Sequence, residues 1–238
     1  MYTLYIANKN YSSWSLRPWL LLGGLGIPFA ERLVAFSPAA AANREAFRAF
    51  APNGKVPCLH DGDTVVWDSL AIAEYLAERH PGVWPSDPAA RAWARCAAAE
   101  MHSGFGALRT HCTMNCGVRV RLPDPLPAGL DADIARVDEL WSEGLERFGG
   151  RFLAGDGFGA VDAFYAPVAF RIQTYGLRLG AGSMAYAQRL LDLPAMREWY
   201  DAALAESWRD PGHEDEARRA GTWLQDLRGA EGASAGAG

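Results

Sequence analysis

The sequence predicts a small α/β domain followed by a larger all-α domain. Three observations point to this. Across the first eighty residues, apolar segments alternate between strand-like and helix-like periods, in the order βαβ, α, ββα. Residues 81–88, PGVWPSDP, hold three prolines in eight positions and interrupt all periodicity. Beyond them, almost every periodic segment repeats at helical spacing. The expected units are residues 1–80, a linker at 81–88, a helical domain over 89–228, and a low-complexity tail, GAEGASAGAG, at 229–238, expected to be disordered.

YTLYIAN at 2–8 reads as a buried strand. Ser15–Leu25 reads as a helix, with Ser15 as its N-cap and Pro18 in the first turn, where a missing N–H does no harm. Phe29–Phe36 alternates like a strand, and Asn43–Phe50 is a weak helix. Val56–Trp67 is a hairpin turning at Asp61-Gly62-Asp63. Asp68–His80 is an amphipathic helix with Leu70, Ala73 and Leu76 along one side. The second unit is read as helices over Ala89–Ala107, Ala132–Phe148, Asp162–Tyr175, Met184–Leu191 and Pro194–Trp208, with a break at Arg121–Leu130.

Composition narrows the function. The 238 residues are enough for two small cores, and 50% hydrophobic with 21% charged content is ordinary for a globular chain. A net charge of −5 and the lack of any dense Lys/Arg run argue against nucleic acid as a partner. No apolar run approaches the roughly 18 residues of a membrane span, and no signal-peptide pattern follows Met1. The four cysteines, Cys58, Cys96, Cys112 and Cys116, are too scattered for a disulfide framework, so a reducing cytoplasm is expected. Cys112 and Cys116 stand beside His111, but their spacing is not CxxC and no second pair exists, so no metal site is expected.

Four motifs carry a family resemblance. YSSWSLR (Tyr11–Arg17), NGKVPCL (Asn53–Leu59), WDSLAIAEYL (Trp67–Leu76) and GAVDAFYAP (Gly159–Pro167) occur in this order in the chain. Together they resemble the cytosolic glutathione S-transferase family, and the serine loop resembles serine-type bacterial members with zeta- or theta-like loops. The match spans about residues 2–208. It implies a thioredoxin-like βαβ-ββα domain, an all-helical C-terminal domain, glutathione as co-substrate and a small electrophile as second substrate. Two departures stand out. Gly159 sits where the family's helical motif places a Ser or Thr cap, and Trp14 sits where zeta-class loops carry a cysteine.

The resemblance assigns roles to particular residues. Ser69 opens a helix, where a hydroxyl and free N–H groups suit the γ-glutamyl carboxylate; Asp68 suits its ammonium. Either could instead serve only as a helix cap. The Val56-Pro57 bond is expected to be cis, turning the N–H and C=O of Val56 toward the cysteinyl backbone. Lys55 suits the glycyl carboxylate or holds the loop. The serines need not be nucleophiles. Lowering a thiol pKa of about 8.5 by two units takes about 2.7 kcal/mol. One hydroxyl bonded to a charged acceptor supplies ~1.5–3 kcal/mol, and a helix N-terminus adds ~0.3–1 kcal/mol. Ser12 is the expected thiolate donor, with Ser13 and Tyr11 as rivals and Ser15 kept as cap.

Arg17 is expected to anchor the loop or pair with an acid. Met101, Phe105, Leu108 and Met114 are read as core, and Asn115 as a weak candidate for ligand contact. An isomerase that adds glutathione reversibly to a conjugated acid is the alternative reading, with Arg109 and Arg119 as its cationic groups. A non-catalytic binding protein of the same fold is a third. A twofold homodimer is expected, with Ala71, Ala94 and Ala98 allowing a partner backbone to approach.

Overall fold

The first domain of the computed structural model, which describes residues 1–228, is built on a four-stranded sheet. The strands are β1 (Tyr2–Ile6), β2 (Phe29–Leu33), β3 (Cys58–Asp61) and β4 (Thr64–Val66), in the order β2-β1-β3-β4. β1 and β2 run parallel because helix α1 (Ser13–Gly24) crosses between them. β3 lies antiparallel to both β1 and β4, with Leu4 opposite Leu59 and Leu59 opposite Val66. Helices α2 (Ala40–Arg48) and α3 (Ser69–Ala77) complete the βαβ-α-ββα order read from the periodicity. The tail at 229–238 lies outside the described residues.

Helix α1 begins earlier than its sequence suggests. Ser12, rather than Ser15, is the N-cap, and its Oγ accepts the Ser15 N–H at 3.4 Å. Ser15 turns inward instead, and its Oγ accepts the Ala7 N–H at 3.2 Å. A run of three serines offers several equivalent caps, and the tie is broken by burial of Ser15 against β1.

The second domain contains α4 (Pro88–Ser103), α5 (Gly106–His111), α6 (Leu130–Phe148), α7 (Ala160–Tyr175), α8 (Ala181–Leu191), α9 (Pro194–Ala205) and α10 (Pro211–Ala220). It adds a two-stranded antiparallel ribbon, β5 (Val118–Arg121) with β6 (Thr222–Asp226), where only irregular or helical chain was expected. The helix expected over Ala89–Ala107 also stops short. Phe105 adopts a left-handed φ of 58°, which breaks the chain between α4 and α5 and sends α5 in a new direction.

Helix α7 is the axis of the molecule. Nearly every residue of it is buried, and it packs against α1, α4 and α8. Its first turn is fixed by Asp162, which is fully enclosed. Oδ2 accepts the Gly159 N–H at 2.9 Å; Oδ1 accepts the Leu153 N–H at 3.1 Å and the Tyr186 hydroxyl at 2.7 Å. This carboxylate makes the N3 half of a capping box, while Gly159 has no side chain to make the other. Ala94 and Ala98 are fully buried within the single chain, so they offer no face to a partner; Ala71 remains exposed.

Candidate functional site

The loop from Asn8 to Ser12 is held from the second domain. The Lys9 N–H donates to Glu206 Oε1 at 2.6 Å, the Trp199 indole to the Lys9 carbonyl at 2.9 Å, and the Cys116 N–H to the Asn10 carbonyl at 3.1 Å. Tyr11 donates its hydroxyl to Glu214 Oε1 at 2.7 Å, and Glu214 is clasped by buried Arg228. Burial, then the Glu214 carboxylate, pushes the Tyr11 phenol above the ordinary tyrosine range. Tyr11 is thus a protonated structural group.

Ser12 sits between two cavities. One, of about 600 Å³, is lined by Ser12, Trp14, Phe36, Phe47, Lys55 and Val56 among others. The other, of about 190 Å³, is lined by Tyr11, Ser12, Trp14, Arg17, Arg109 and Arg171 among others. The Ser12 hydroxyl donates to Ser15 Oγ at 2.7 Å. Its place at the N-terminus of a twelve-residue helix aligns it with the positive end of the α1 dipole.

The structure brings Ser12, Lys55 and Val56 around one cavity. Lys55 is exposed, its N–H bonded to the Asn53 side chain at 3.0 Å, and its ammonium forms no ion pair among the described residues. The Val56-Pro57 bond is cis, with Pro57 buried. Asp68 and Ser69 stand at the start of α3, outside that lining. Asp68 caps the helix, its Oδ1 accepting the Leu70 N–H at 3.0 Å, while Oδ2 meets His102 Nε2 at 3.2 Å. Ser69 is buried and its hydroxyl has no partner. The link back to the serine loop runs through His102, whose ring packs edge-on against Trp14 with centroids 5.2 Å apart. Burial lowers the His102 pKa despite the attraction of Asp68, so the ring is neutral at pH 7.

Several expectations change. Arg17 pairs with no acid among the described residues. Its guanidinium lies 4.2 Å from the Trp14 ring centre and 4.9 Å from that of Phe164, with only a 3.4 Å contact to the Met101 carbonyl. Arg119 is on β5, bonded to the Cys116 and Val118 carbonyls and to Tyr200; it lines a different cavity, of about 1040 Å³, that contains no residue of the serine loop. Asn115 is fully buried and bonded to Asn10 and Glu214, away from either serine-loop cavity. Met101, Phe105 and Leu108 are core, while Met114 lies in the core and also reaches the smaller cavity. Burial raises the thiols of Cys58 and Cys112 to about 11 and about 12, so both stay protonated.

Known proteins agree with this architecture. A family model described as "Glutathione S-transferase, N-terminal domain" matches residues 11–79, and one described as "Glutathione S-transferase, C-terminal domain" matches residues 119–202. The chain belongs to the cytosolic glutathione S-transferase family. Glutathione S-transferase GstB of Escherichia coli K12 is 29% identical over 217 residues, covering 83% of this chain and 97% of the relative. A probable maleylacetoacetate isomerase of Caenorhabditis elegans is 30% identical over 155 residues, 60% of this chain and 69% of the relative. The theta class glutathione S-transferase of Xanthomonas axonopodis pv. citri, solved with glutathione bound, superposes with a TM-score of 0.61 at 26% identity, over 84% of this chain and 96% of that one.

Within this glutathione S-transferase the sequence reading missed Trp14, Arg171 and His213 as cavity residues. Arg171 had a usable signal: it is a lone charge in the apolar run AFRIQTY. His213 had none, since its place depends on α10 folding back against Tyr11.

Proposed function

We propose that this chain binds glutathione in the cavity lined by Ser12, Lys55 and Val56, and that Ser12 stabilises its thiolate for attack on a small electrophile. The observation that carries the reading is the place of Ser12: a helix N-cap shared by two cavities, one for each substrate. A thiolate beside Ser12 reverses the serine pair. Ser15 then donates to Ser12, and the Ser12 proton turns to the sulfur. The thiol proton leaves to solvent, and the sulfur lone pair forms the new bond to the electrophilic carbon as that carbon's bond to its leaving group breaks and the group departs with the electron pair. Lys55 takes the glycyl carboxylate, the Val56 backbone takes the cysteinyl peptide, Pro57 fixes the loop, and Asp68 and Ser69 hold the γ-glutamyl end. The unpartnered Ser69 hydroxyl supports that last role. No metal is required. The reading includes a cytoplasmic setting and a twofold homodimer.

The test is Ser12→Ala beside Tyr11→Phe. Ser12→Ala is expected to lower turnover roughly tenfold or more, from a loss of about 1.5–3 kcal/mol, and to raise the apparent pKa of bound glutathione. Tyr11→Phe is expected to keep most activity, because that hydroxyl is held by Glu214. Full activity in Ser12→Ala with none in Tyr11→Phe refutes the assignment. A second reading, glutathione-dependent isomerisation of a conjugated acid, draws on the likeness to the nematode protein; turnover of a cis-dienoic acid without net loss of glutathione distinguishes it.

A further inference from the structure

Three arginines from three helices, Arg17 on α1, Arg109 on α5 and Arg171 on α7, converge on the smaller cavity beside Ser12. Such groups are normally paired when taken out of water. Here none of the three forms an ion pair among the described residues. Arg17 is 3% exposed, and its Nε and Nη1 have no hydrogen-bond partner. Arg109 donates to the Met101 and His102 carbonyls, and Arg171 donates Nε to the Cys112 carbonyl at 2.7 Å. Those carbonyls supply dipoles rather than charge.

Two neighbouring carboxylates are otherwise engaged. Asp68 meets His102, and Asp133 accepts the Leu108 N–H at 2.8 Å. Glu216 borders the cavity, half-buried on α10, and forms no ion pair with the arginines. Burial and mutual repulsion push Arg17 well below the ordinary guanidinium range, and Arg171 down to about 10. A cluster of positive charge with no carboxylate paired to it suits an anionic ligand.

We propose that this cavity binds the carboxylate of the electrophile, making the second substrate a small organic acid. The inference rests on the proposed transferase reading. The chemistry fits the lining. A guanidinium fork matches a carboxylate, Trp14 borders the cavity with its ring stacked against Arg17 and Arg109, and Ser12 borders the same space. The cavity, at about 190 Å³, holds a single small ring or short chain. An acid seated on the arginines places its reactive carbon next to the sulfur held at Ser12. The positive field also helps hold the thiolate.

The probes are 4-chloro-3-nitrobenzoate and its neutral amide. In turnover, the thiolate forms a C–S bond at the ring carbon bearing chlorine, the C–Cl bond breaks, and chloride leaves with the electron pair. In calorimetry without glutathione neither probe reacts, so binding is read independently of the transferase reading. The benzoate is expected to bind roughly ten- to a hundredfold more tightly than the amide. Arg17→Met and the half-exposed Arg109→Gln should each shrink that ratio severalfold or more. Arg109→Gln keeps the test open if Arg17→Met does not fold, which circular dichroism reports. Equal binding of the two probes, or equal losses for both in the variants, overturns the inference. Variants that weaken glutathione but leave the benzoate untouched also overturn it, by assigning the arginines to glutathione. Preferential benzoate binding with no turnover of either probe upholds the acid site and refutes the transferase reading instead.

Discussion

Replacing Asp162 should expose how the second domain is locked. The carboxylate accepts the Leu153 N–H, the Gly159 N–H and the Tyr186 hydroxyl, with no water access. Asp162→Ala orphans all three buried donors, at about 1–3 kcal/mol each. Relief of the buried charge offsets part of that, leaving an expected loss of about 3–5 kcal/mol. Asp162→Asn is milder. Its carbonyl keeps the two bonds made by Oδ1, and only the Gly159 N–H faces a donor, for a loss of about 1–3 kcal/mol. The charge adds a pH signature. Burial raises the folded carboxyl to about 6, against an ordinary value of 3.8. The folded state therefore holds its proton more tightly than the unfolded chain. The resulting stabilisation is complete below about pH 4 and gone above about pH 6, a change of roughly 2–3 kcal/mol. Wild type should lose stability relative to Asp162→Asn as pH rises through that window, and the difference should be flat above it. Urea titrations followed by tryptophan fluorescence give both numbers, since Trp141 lies 4.8 Å from the Tyr186 ring. An Asn variant as unstable as Ala, or a difference that does not change with pH, refutes the reasoning.

Other expectations follow from the same contacts. Ser69→Ala should weaken glutathione roughly tenfold by calorimetry with little change in melting, because its hydroxyl has no partner to lose. Asp68→Ala should weaken glutathione similarly and also cost about 1 kcal/mol of stability as a lost N-cap. Arg228→Ala strips the ion pairs to Glu214 and Asp226, and should cost about 3–5 kcal/mol in denaturant unfolding. Light scattering should report about twice the chain mass of 25.8 kDa; a value near the chain mass removes the dimer.

What could be read in advance follows from the range of each interaction. Period-two and helical patterns are local, so β1, α1, the β3–β4 hairpin and the long helices were legible. The proline run at 81–88 marked the change of architecture. The β5–β6 ribbon was not legible. VRVR is four residues long, and its partner TWLQD begins about a hundred positions later, so pairing depends on the finished fold. Ala94 and Ala98 look like an interface in sequence, but both are already buried within the single chain. The glutathione side of the site was partly legible because Ser12, the Val56-Pro57 pair and Asp68-Ser69 lie in short motifs. The arginine cluster was hidden, because three arginines scattered along a chain do not reveal that no acid among the described residues pairs with them.

The bonds from Tyr11 to Glu214 and Arg228 span up to 217 positions of sequence. This has a consequence for synthesis. At about 5–20 residues per second, the ribosome adds the last of these partners roughly 10–40 s after it has passed the serine loop. During that interval β1 and α1 can fold and pair, but the strand-to-helix turn carrying Ser12 lacks the groups that hold it from behind. The nascent chain can therefore acquire a folded first domain well before it acquires a competent active site. A stop codon near residue 205 would leave the sheet intact while removing Glu206, Glu214 and Arg228 together. Such a product should pass as folded in a far-ultraviolet spectrum and yet hold the Ser12 loop in no single position.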